Sequence, residues 1–405
     1  MDKTLRLCLV DMNNGHANQA MRCFRILVDS FCAAVRARNP DLRTEVVSVQ
    51  PRNRKELPPA GFDLYLSSGG PDSPYDHDGE PWLDDLFRFY DSLVEGHLSG
   101  KPDAPSMFAV CYTYELLVRH FKVCAMVPRA SRKFGVMPAY TTSAGAAHPL
   151  LEGFGDRLFA FEHRTWEAVD LDEKRLAELG GSVLARESRD GASKGQALLA
   201  LDLAPGIECT QFHPEADRQG VIVWVSKREQ AQAFVDTYGL VTYDRMIRTL
   251  DNPERIAKTF SLLIPGWLSR KFNVIAQYRG LQPLLTPGLD MDLFEGTAPS
   301  AASVRFNSIV PTMMEPSLTD LDDEPRAADL ELDLLSVRKS TIAQNVAQLA
   351  QFGSDLESRS GHGSGLVIAA AVSFTLTTVT EVTTRTGTRM QPRSRGSWVS
   401  VMGPA

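Results

Sequence analysis

Along residues 1–245, short apolar runs alternate with segments whose apolar positions recur every three or four residues. Leu5–Val10 (LRLCLV) is mostly apolar, of strand length, and ends at Asp11. From Asn18 to Arg36, the residues Ala20, Met21, Phe24, Leu27, Val28, Phe31 and Val35 fall at helical spacing, as on the buried face of an amphipathic helix. Thr44–Val49 predicts a second strand. Phe62–Ser67 predicts a third, stopped by Ser68-Gly69-Gly70-Pro71. Trp82–Leu98 reads as helix, Ser106–Val110 as a short buried strand, and Tyr112–Phe121 as a helix that follows it directly. The stretch 134–210 is more strand-like, with Arg157–Phe161 and Gln196–Leu201 as examples, and Arg228–Tyr238 returns to helix. Such alternation predicts an α/β fold, a mostly parallel sheet with helices on both faces.

The pattern changes after residue 245. Residues 246–280 carry helical spacing and read as a helical extension, broken by Pro265-Gly266. Residues 281–335 read as an acidic, Pro-rich linker; Glu315 to Asp333 holds eight acids against the single Arg326, too charged to bury a core. A helix is possible over 336–358. The remainder, 359–405, is a Gly-, Ser-, Thr- and Arg-rich tail with one acid, Glu381, for which disorder is expected.

Composition narrows the function classes. The 405 residues carry 43 Lys and Arg against 50 Asp and Glu, a net charge of −7. Nucleic-acid binding through a basic field is therefore not expected, since that needs a cationic surface. The longest apolar run, Leu366–Val372, falls well short of the ~20 residues of a membrane helix. Cysteines stand at 8, 23, 32, 111, 124 and 209. None are in CxxC spacing, and no His, Cys, Asp and Glu cluster has metal-ligand spacing, so no metal or cofactor is expected. The chain opens Met-Asp-Lys-Thr with no apolar leader, which predicts a cytoplasmic protein with reduced thiols.

Three segments carry candidate chemistry. In Phe108-Ala109-Val110-Cys111-Tyr112-Thr113-Tyr114-Glu115 an apolar strand delivers Cys111 straight into a helix start. That is the setting of a nucleophile elbow, and a helix N-terminus favours the reactive thiolate. A lone Cys in such a run is otherwise a core residue. In Thr210-Gln211-Phe212-His213-Pro214-Glu215, His213 and Glu215 share a face of an extended segment. A carboxylate so placed can fix the imidazole tautomer; the alternative is a surface His beside a Glu. In Ser67-Ser68-Gly69-Gly70-Pro71-Asp72-Ser73 a strand ends in two glycines, whose N–H groups can approach a ligand closely. The alternative is a plain turn.

Together and in this order, the three segments resemble the class I (triad) glutamine amidotransferase domain, over residues 1–245. That family has a flavodoxin-like sheet, an S-G-G-P loop after a strand, a G-x-C-x-G-x-Q elbow and a late H-P-E. The resemblance implies Cys111 as nucleophile, His213 as general base and acid, and Glu215 as its orienting partner. It implies oxyanion N–H groups at Gly70, in the Gly69-Gly70 loop, and at Tyr112. Phe134-Gly135-Val136 matches a Gly-containing family segment. Glu162-His163-Arg164 falls where the family contacts the substrate backbone, which makes His163 a substrate-binding candidate. The implied substrate is glutamine or a γ-glutamyl amide, hydrolysed through a cysteinyl acyl-enzyme. The implied partner is a separate synthetase that takes the ammonia, most nearly as in GMP-synthase-like glutaminases.

The elbow departs from the family at Ala109, Thr113 and Glu115, which stand for two glycines and a glutamine. Glu115 lies one helical turn beyond Cys111 and is a substrate-binding candidate; the alternative is a surface pair with Arg119. A similar Glu occurs in γ-glutamyl hydrolases, so a standalone γ-glutamyl peptidase or hydrolase is the alternative function. A catalytically silent regulatory module and an acyltransferase on the same fold are further alternatives. Ser68-Gly69-Gly70-Pro71-Asp72-Ser73 also fits the S-G-G-x-D-S pyrophosphate loop, but follows the third strand where that loop follows the first.

Overall fold

The apolar runs of the first 110 residues become strands, and the helical-period segments between them become crossovers. The computed structural model describes residues 3–189 and 197–285. In chain order they form β1 (Thr4–Val10), α1 (Ala20–Arg38), β2 (Arg43–Val49), the short α2 (Pro51–Arg54), β3 (Leu64–Ser67), α3 (Pro81–Leu98), β4 (Ser106–Val110) and α4 (Tyr112–His120). There follow β5 (Ala125–Thr141), α5 (Ser143–Ala147), β6 (Arg157–Val169), α6 (Glu173–Glu178), β7 (Ser182–Arg186), β8 (Leu198–Ala204) and β9 (Ile207–Thr210). The helices α7 (Arg218–Val225), α8 (Arg228–Tyr238), α9 (Leu240–Arg248) and α10 (Lys258–Arg279) complete the described chain. The expected linker over 281–335 lies almost wholly outside the described residues. The possible helix at 336–358 and the tail at 359–405 lie outside them entirely.

One nine-stranded sheet has the order β2-β1-β3-β4-β9-β8-β7-β5-β6. The ladders of β1 with β2 and β3, β3 with β4 and β4 with β9 are parallel. The ladders from β9 outward through β8, β7, β5 and β6 are antiparallel. Even so, β7 and β6 run in the sense of β1, and only β8 and β5 oppose it. The sheet is mixed, mostly of one sense, as the α/β reading expected. The chain reverses from β8 to β9 through Pro205-Gly206, where Gly206 takes φ +82, a left-handed turn conformation that suits glycine.

Inside the edge strand β2, the strands of the parallel half are buried on both faces, and their residues divide between two cores with period two. Leu5, Leu7 and Leu9 of β1 and Phe108 and Val110 of β4 face one core, with α1 and α10. Cys8 and Val10 of β1 and Met107 and Ala109 of β4 face the other, with α3 and α4. Burial pushes the thiol of Cys32 up to about 11 and those of Cys8 and Cys124 to about 12, so these cysteines stay protonated and unreactive.

The extension after residue 245 is part of this packing. Trp267 of α10 is fully buried with its ring centroid 5.7 Å from that of Phe108, and Phe272 stands 6.0 Å from Phe31. Buried Glu208 of β9 accepts from Arg270 at 2.9 Å and pairs with Lys271 at 2.8 Å. The core therefore runs through the boundary expected at 245. The break expected at Pro265-Gly266 is not there: α10 is continuous from Lys258 to Arg279 with Pro265 inside it. An interior proline costs about 3 kcal/mol of helix propensity, and the burial of Leu263, Ile264, Trp267, Leu268 and Phe272 offsets it. Trp267→Ala should lower unfolding stability by about 3–5 kcal/mol, measured by chemical denaturation; a loss under about 1 kcal/mol would show that α10 only leans on the sheet.

Candidate active site

The connections that leave β1, β3, β4 and β9 all emerge at the carboxyl edge of the parallel strands, where the strand order switches from β1–β2 to β3. Open α/β sheets bind ligands in that crevice. The three segments singled out in the sequence meet there.

Cys111 joins β4 to α4. Its N–H donates to the Thr210 carbonyl at 2.8 Å, and its own carbonyl accepts from the Glu115 N–H at 2.9 Å. The residue is pulled toward β9 and made the helix cap at once. The result is φ 50, ψ −107, a conformation that an L-residue holds only under constraint. Cys111 is 5% exposed. Thr113 hydrogen-bonds to the Ser68 carbonyl and the Ser67 hydroxyl, each at 2.8 Å. It thus ties the elbow to the end of β3 where the family pattern has glycine.

His213 lies beyond β9, its N–H donating to the Phe161 carbonyl at 2.8 Å. Its Nδ1 is 2.8 Å from Oε1 of Glu215, whose side chain is buried. The imidazole also lies close enough to Cys111 for the sulfur to favour its charge. Burial works against a charged ring here, but the Glu215 carboxylate and the Cys111 sulfur outweigh it, so the His213 pKa stands well above the usual histidine value. Cys111, His213 and Glu215 thus stand in one line, hydrogen-bonded between His213 and Glu215.

Gly69 lies against this line. A Cβ placed there would sit 2.8 Å from Cε1 of His213 and 3.0 Å from Cβ of Cys111. A Cβ at Gly70 would lie 2.1 Å from the Met12 carbonyl oxygen, so only glycine passes there. Among the described residues neither the Gly70 nor the Tyr112 N–H donates to a protein acceptor. The loop is held from behind by two groups. The Ser68 hydroxyl accepts from the Met12 N–H at 2.9 Å and from Asn13 at 3.1 Å. The buried Arg52 donates to the carbonyls of Met12 at 3.0 Å and Pro71 at 2.8 Å and to Asp72 at 2.5 Å, and its guanidinium stacks 4.4 Å above the Tyr112 ring. Sequence reasoning missed Arg52, which sits in a polar run 17 residues before Gly69 with nothing local to mark it.

Glu115 is not a surface residue and does not pair with Arg119. Arg119 turns to Asp78 and the Pro74 carbonyl. Glu115 is 3% exposed and accepts from Gln211 Nε2 at 2.9 Å, and the same Nε2 lies 3.8 Å from Sγ of Cys111. Burial raises the Glu115 pKa to about 7, although Gln211, Arg164 and His213 each favour its charged form. The native chain therefore keeps a proton up to about pH 7 that the unfolded chain releases near 4.5. Over that window the native state binds more protons, so stability falls as pH rises. The loss is of order 3 kcal/mol by pH 8. Thermal melts of Glu115→Gln should lose this part of the slope between pH 5 and 8; an unchanged slope would place the titration elsewhere.

His163 lies on β6 two residues from Phe161 and shares its face. The two rings stack with centroids 6.4 Å apart, and Phe161 is 6.1 Å from the His213 ring. On the opposite face Arg164 is buried between Glu162 at 2.6 Å and Glu187 at 2.8 Å. Among the described residues no group of three His, Cys, Asp or Glu side chains is arranged to hold a metal ion. None of the described helices is long and apolar enough to cross a membrane.

No family model matches this chain, and no curated protein matches it. Solved structures do. A glutamine amidotransferase from Thermotoga maritima is similar over 67% of this chain and 97% of its own, at 14% identity and TM-score 0.41. A glutamine amido transferase from Methylobacillus flagellatus is similar over 69% and 96%, at 16% identity and TM-score 0.42. The glutaminase domain of Trypanosoma brucei CTPS is similar over 56% and 94%, at 13% identity and TM-score 0.35. Likeness at this level bears on neither substrate nor partner.

Proposed function

We propose that this chain is a cysteine-dependent glutaminase of the class I amidotransferase type, hydrolysing the side-chain amide of glutamine and supplying ammonia to a separate synthetase. The observation that carries the reading is the Cys111–His213–Glu215 line at the carboxyl edge of the sheet, with Cys111 in a constrained backbone. Such a line is built to activate a thiol and hold an imidazolium.

The chemistry follows from the placement. Sγ of Cys111 attacks the amide carbon, and the Gly70 and Tyr112 N–H groups receive the oxyanion. His213, charged by the thiol proton and steadied by Glu215, protonates the departing nitrogen, and ammonia leaves. His213 then takes a proton from water, whose oxygen attacks the thioester. Glutamate departs and the thiol is restored. The S-G-G-P and Q-F-H-P-E segments favour a GMP-synthase-like acceptor.

The test is peptide mass spectrometry after treatment with a glutamine-analogue electrophile, beside ammonia release from glutamine with and without cell extract. Modification of Cys111 alone, and ammonia release that rises with extract, are expected. An unmodified Cys111 would leave a silent module on this fold. A second reading, a standalone γ-glutamyl hydrolase, is favoured by the carboxyl of Glu115, which the Gln211 amide links to the nucleophile. If it holds, γ-glutamyl peptides turn over faster than glutamine without extract, and Glu115→Gln shifts preference toward free glutamine.

A further inference from the structure

The hairpin of β5 and β6 carries many charges, and most of them are matched. Arg129, Lys133 and Arg164 interlock with Glu162, Glu167 and Glu187 through pairs of 2.6–4.0 Å and one still closer. Three cations meet three carboxylates. Arg132, in the same segment, is left over. Its guanidinium touches His163 Nε2, lies 3.4 Å from the Gln230 side-chain oxygen and stands 4.9 Å above the Phe134 ring. Among the described residues no carboxylate pairs with it. Burial disfavours its charge, so the protein holds a part-buried cation with only neutral company.

The position of this cation gives it a use. Phe134 pairs with His163 across the β5–β6 ladder, so their side chains share a face. Phe161, two residues along, is on that face too, and its ring stands 6.1 Å from His213. Trp224 closes the group, 5.3 Å from Phe161 and 6.1 Å from His163. A path of aromatic rings thus leads from the catalytic imidazole to an uncompensated guanidinium, whose planar fork fits a carboxylate.

We propose that Arg132, set by His163 and Gln230 beyond the Phe161 ring, binds a carboxylate of the substrate and so restricts this site to acidic γ-glutamyl amides. The inference rests on Cys111 being the nucleophile for such amides. The carboxylate has two sources: the α-carboxylate of the glutamyl moiety, or an acid on the leaving amine.

Protection of Cys111 from iodoacetamide, read by mass spectrometry of the full chain, tests this without requiring turnover. The ligands are glutamine, its α-carboxamide, and the α-carboxamide of γ-glutamylglycine, whose only carboxylate is on the leaving side. Arg132→Gln should raise the concentration for half-protection about ten-fold for the ligand whose carboxylate is bound. The glutamine α-carboxamide should not move, and Arg132→Lys should recover part of the loss. The arm that shifts identifies the source. Equal shifts for all three ligands, no shift for any, or no protection of the wild-type chain by either acid overturns the proposal. Protection by an acid with no hydrolysis of it would instead overturn the glutaminase reading and leave Arg132 as the anion site.

Discussion

Cys111→Ala should lower amide hydrolysis by about 10⁴-fold or more while the chain still folds. The rate falls because, on the reading proposed above, the sulfur beside His213 is the nucleophile. The fold survives because the Cys111 backbone, not its thiol, makes the bonds to Thr210 and Glu115. A second variant separates backbone from chemistry. At φ 50 and ψ −107 alanine is as constrained as cysteine, whereas glycine is not. Cys111→Gly should therefore be as inactive as Cys111→Ala but about 1 kcal/mol more stable, or nearly so. Turnover that persists in either variant would remove Cys111 from the reaction. Equal stability of the two would show that the elbow is not under constraint.

The second large effect is expected at the two glycines, and it divides between them. At Gly69 an added methyl meets Cε1 of His213 at 2.8 Å and Cβ of Cys111 at 3.0 Å. These are the proposed reacting pair, and a misplacement of about 1 Å between them can cost about 10²-fold in kcat. Gly69→Ala should thus lose rate with little loss of stability. At Gly70 the methyl meets a backbone oxygen, that of Met12, at 2.1 Å, and backbone yields poorly. Gly70→Ala should lose about 3 kcal/mol of stability, with the loop and its Arg52 contacts displaced. Denaturation and steady-state kinetics on both variants check the division; the opposite pattern would mean that the loop takes another path.

What could be read in advance was what is local in the chain. Ser106–Val110 followed at once by Cys111, the tripeptide His213-Pro214-Glu215 and the pair Gly69-Gly70 each carry their chemistry within a few residues. The apolar periods of β1, α1, β4 and α4 are equally local. What was not legible is made by distant partners. Arg52 reaches the Gly70 loop from α2, and Arg164 finds Glu187 across three strands. Gln211 was in view beside His213, but only the fold shows its amide between Glu115 and Cys111. The length of β5 was hidden because Arg129–Lys133 is polar and interrupts the strand pattern. In α10 the proline signal was genuine and was outweighed by burial, which no local rule weighs.

The course of α10 has a practical consequence for anyone handling the protein. Arg279 donates to the Thr4 carbonyl and pairs with Asp63, and the Gln282 N–H donates to Asn39. Thr4 and Asp63 stand where β1 and β3 begin, and Asn39 shortly before β2. Residues 280–285 therefore leave the core at the amino edge of the sheet, separated from Cys111 by the length of a strand, about 17 Å for five residues. Leu285 there is 73% exposed. A chain ended at this point and coupled through it to a bead, a dye or a sensor surface would turn the sheet edge that carries Cys111 away from the attachment.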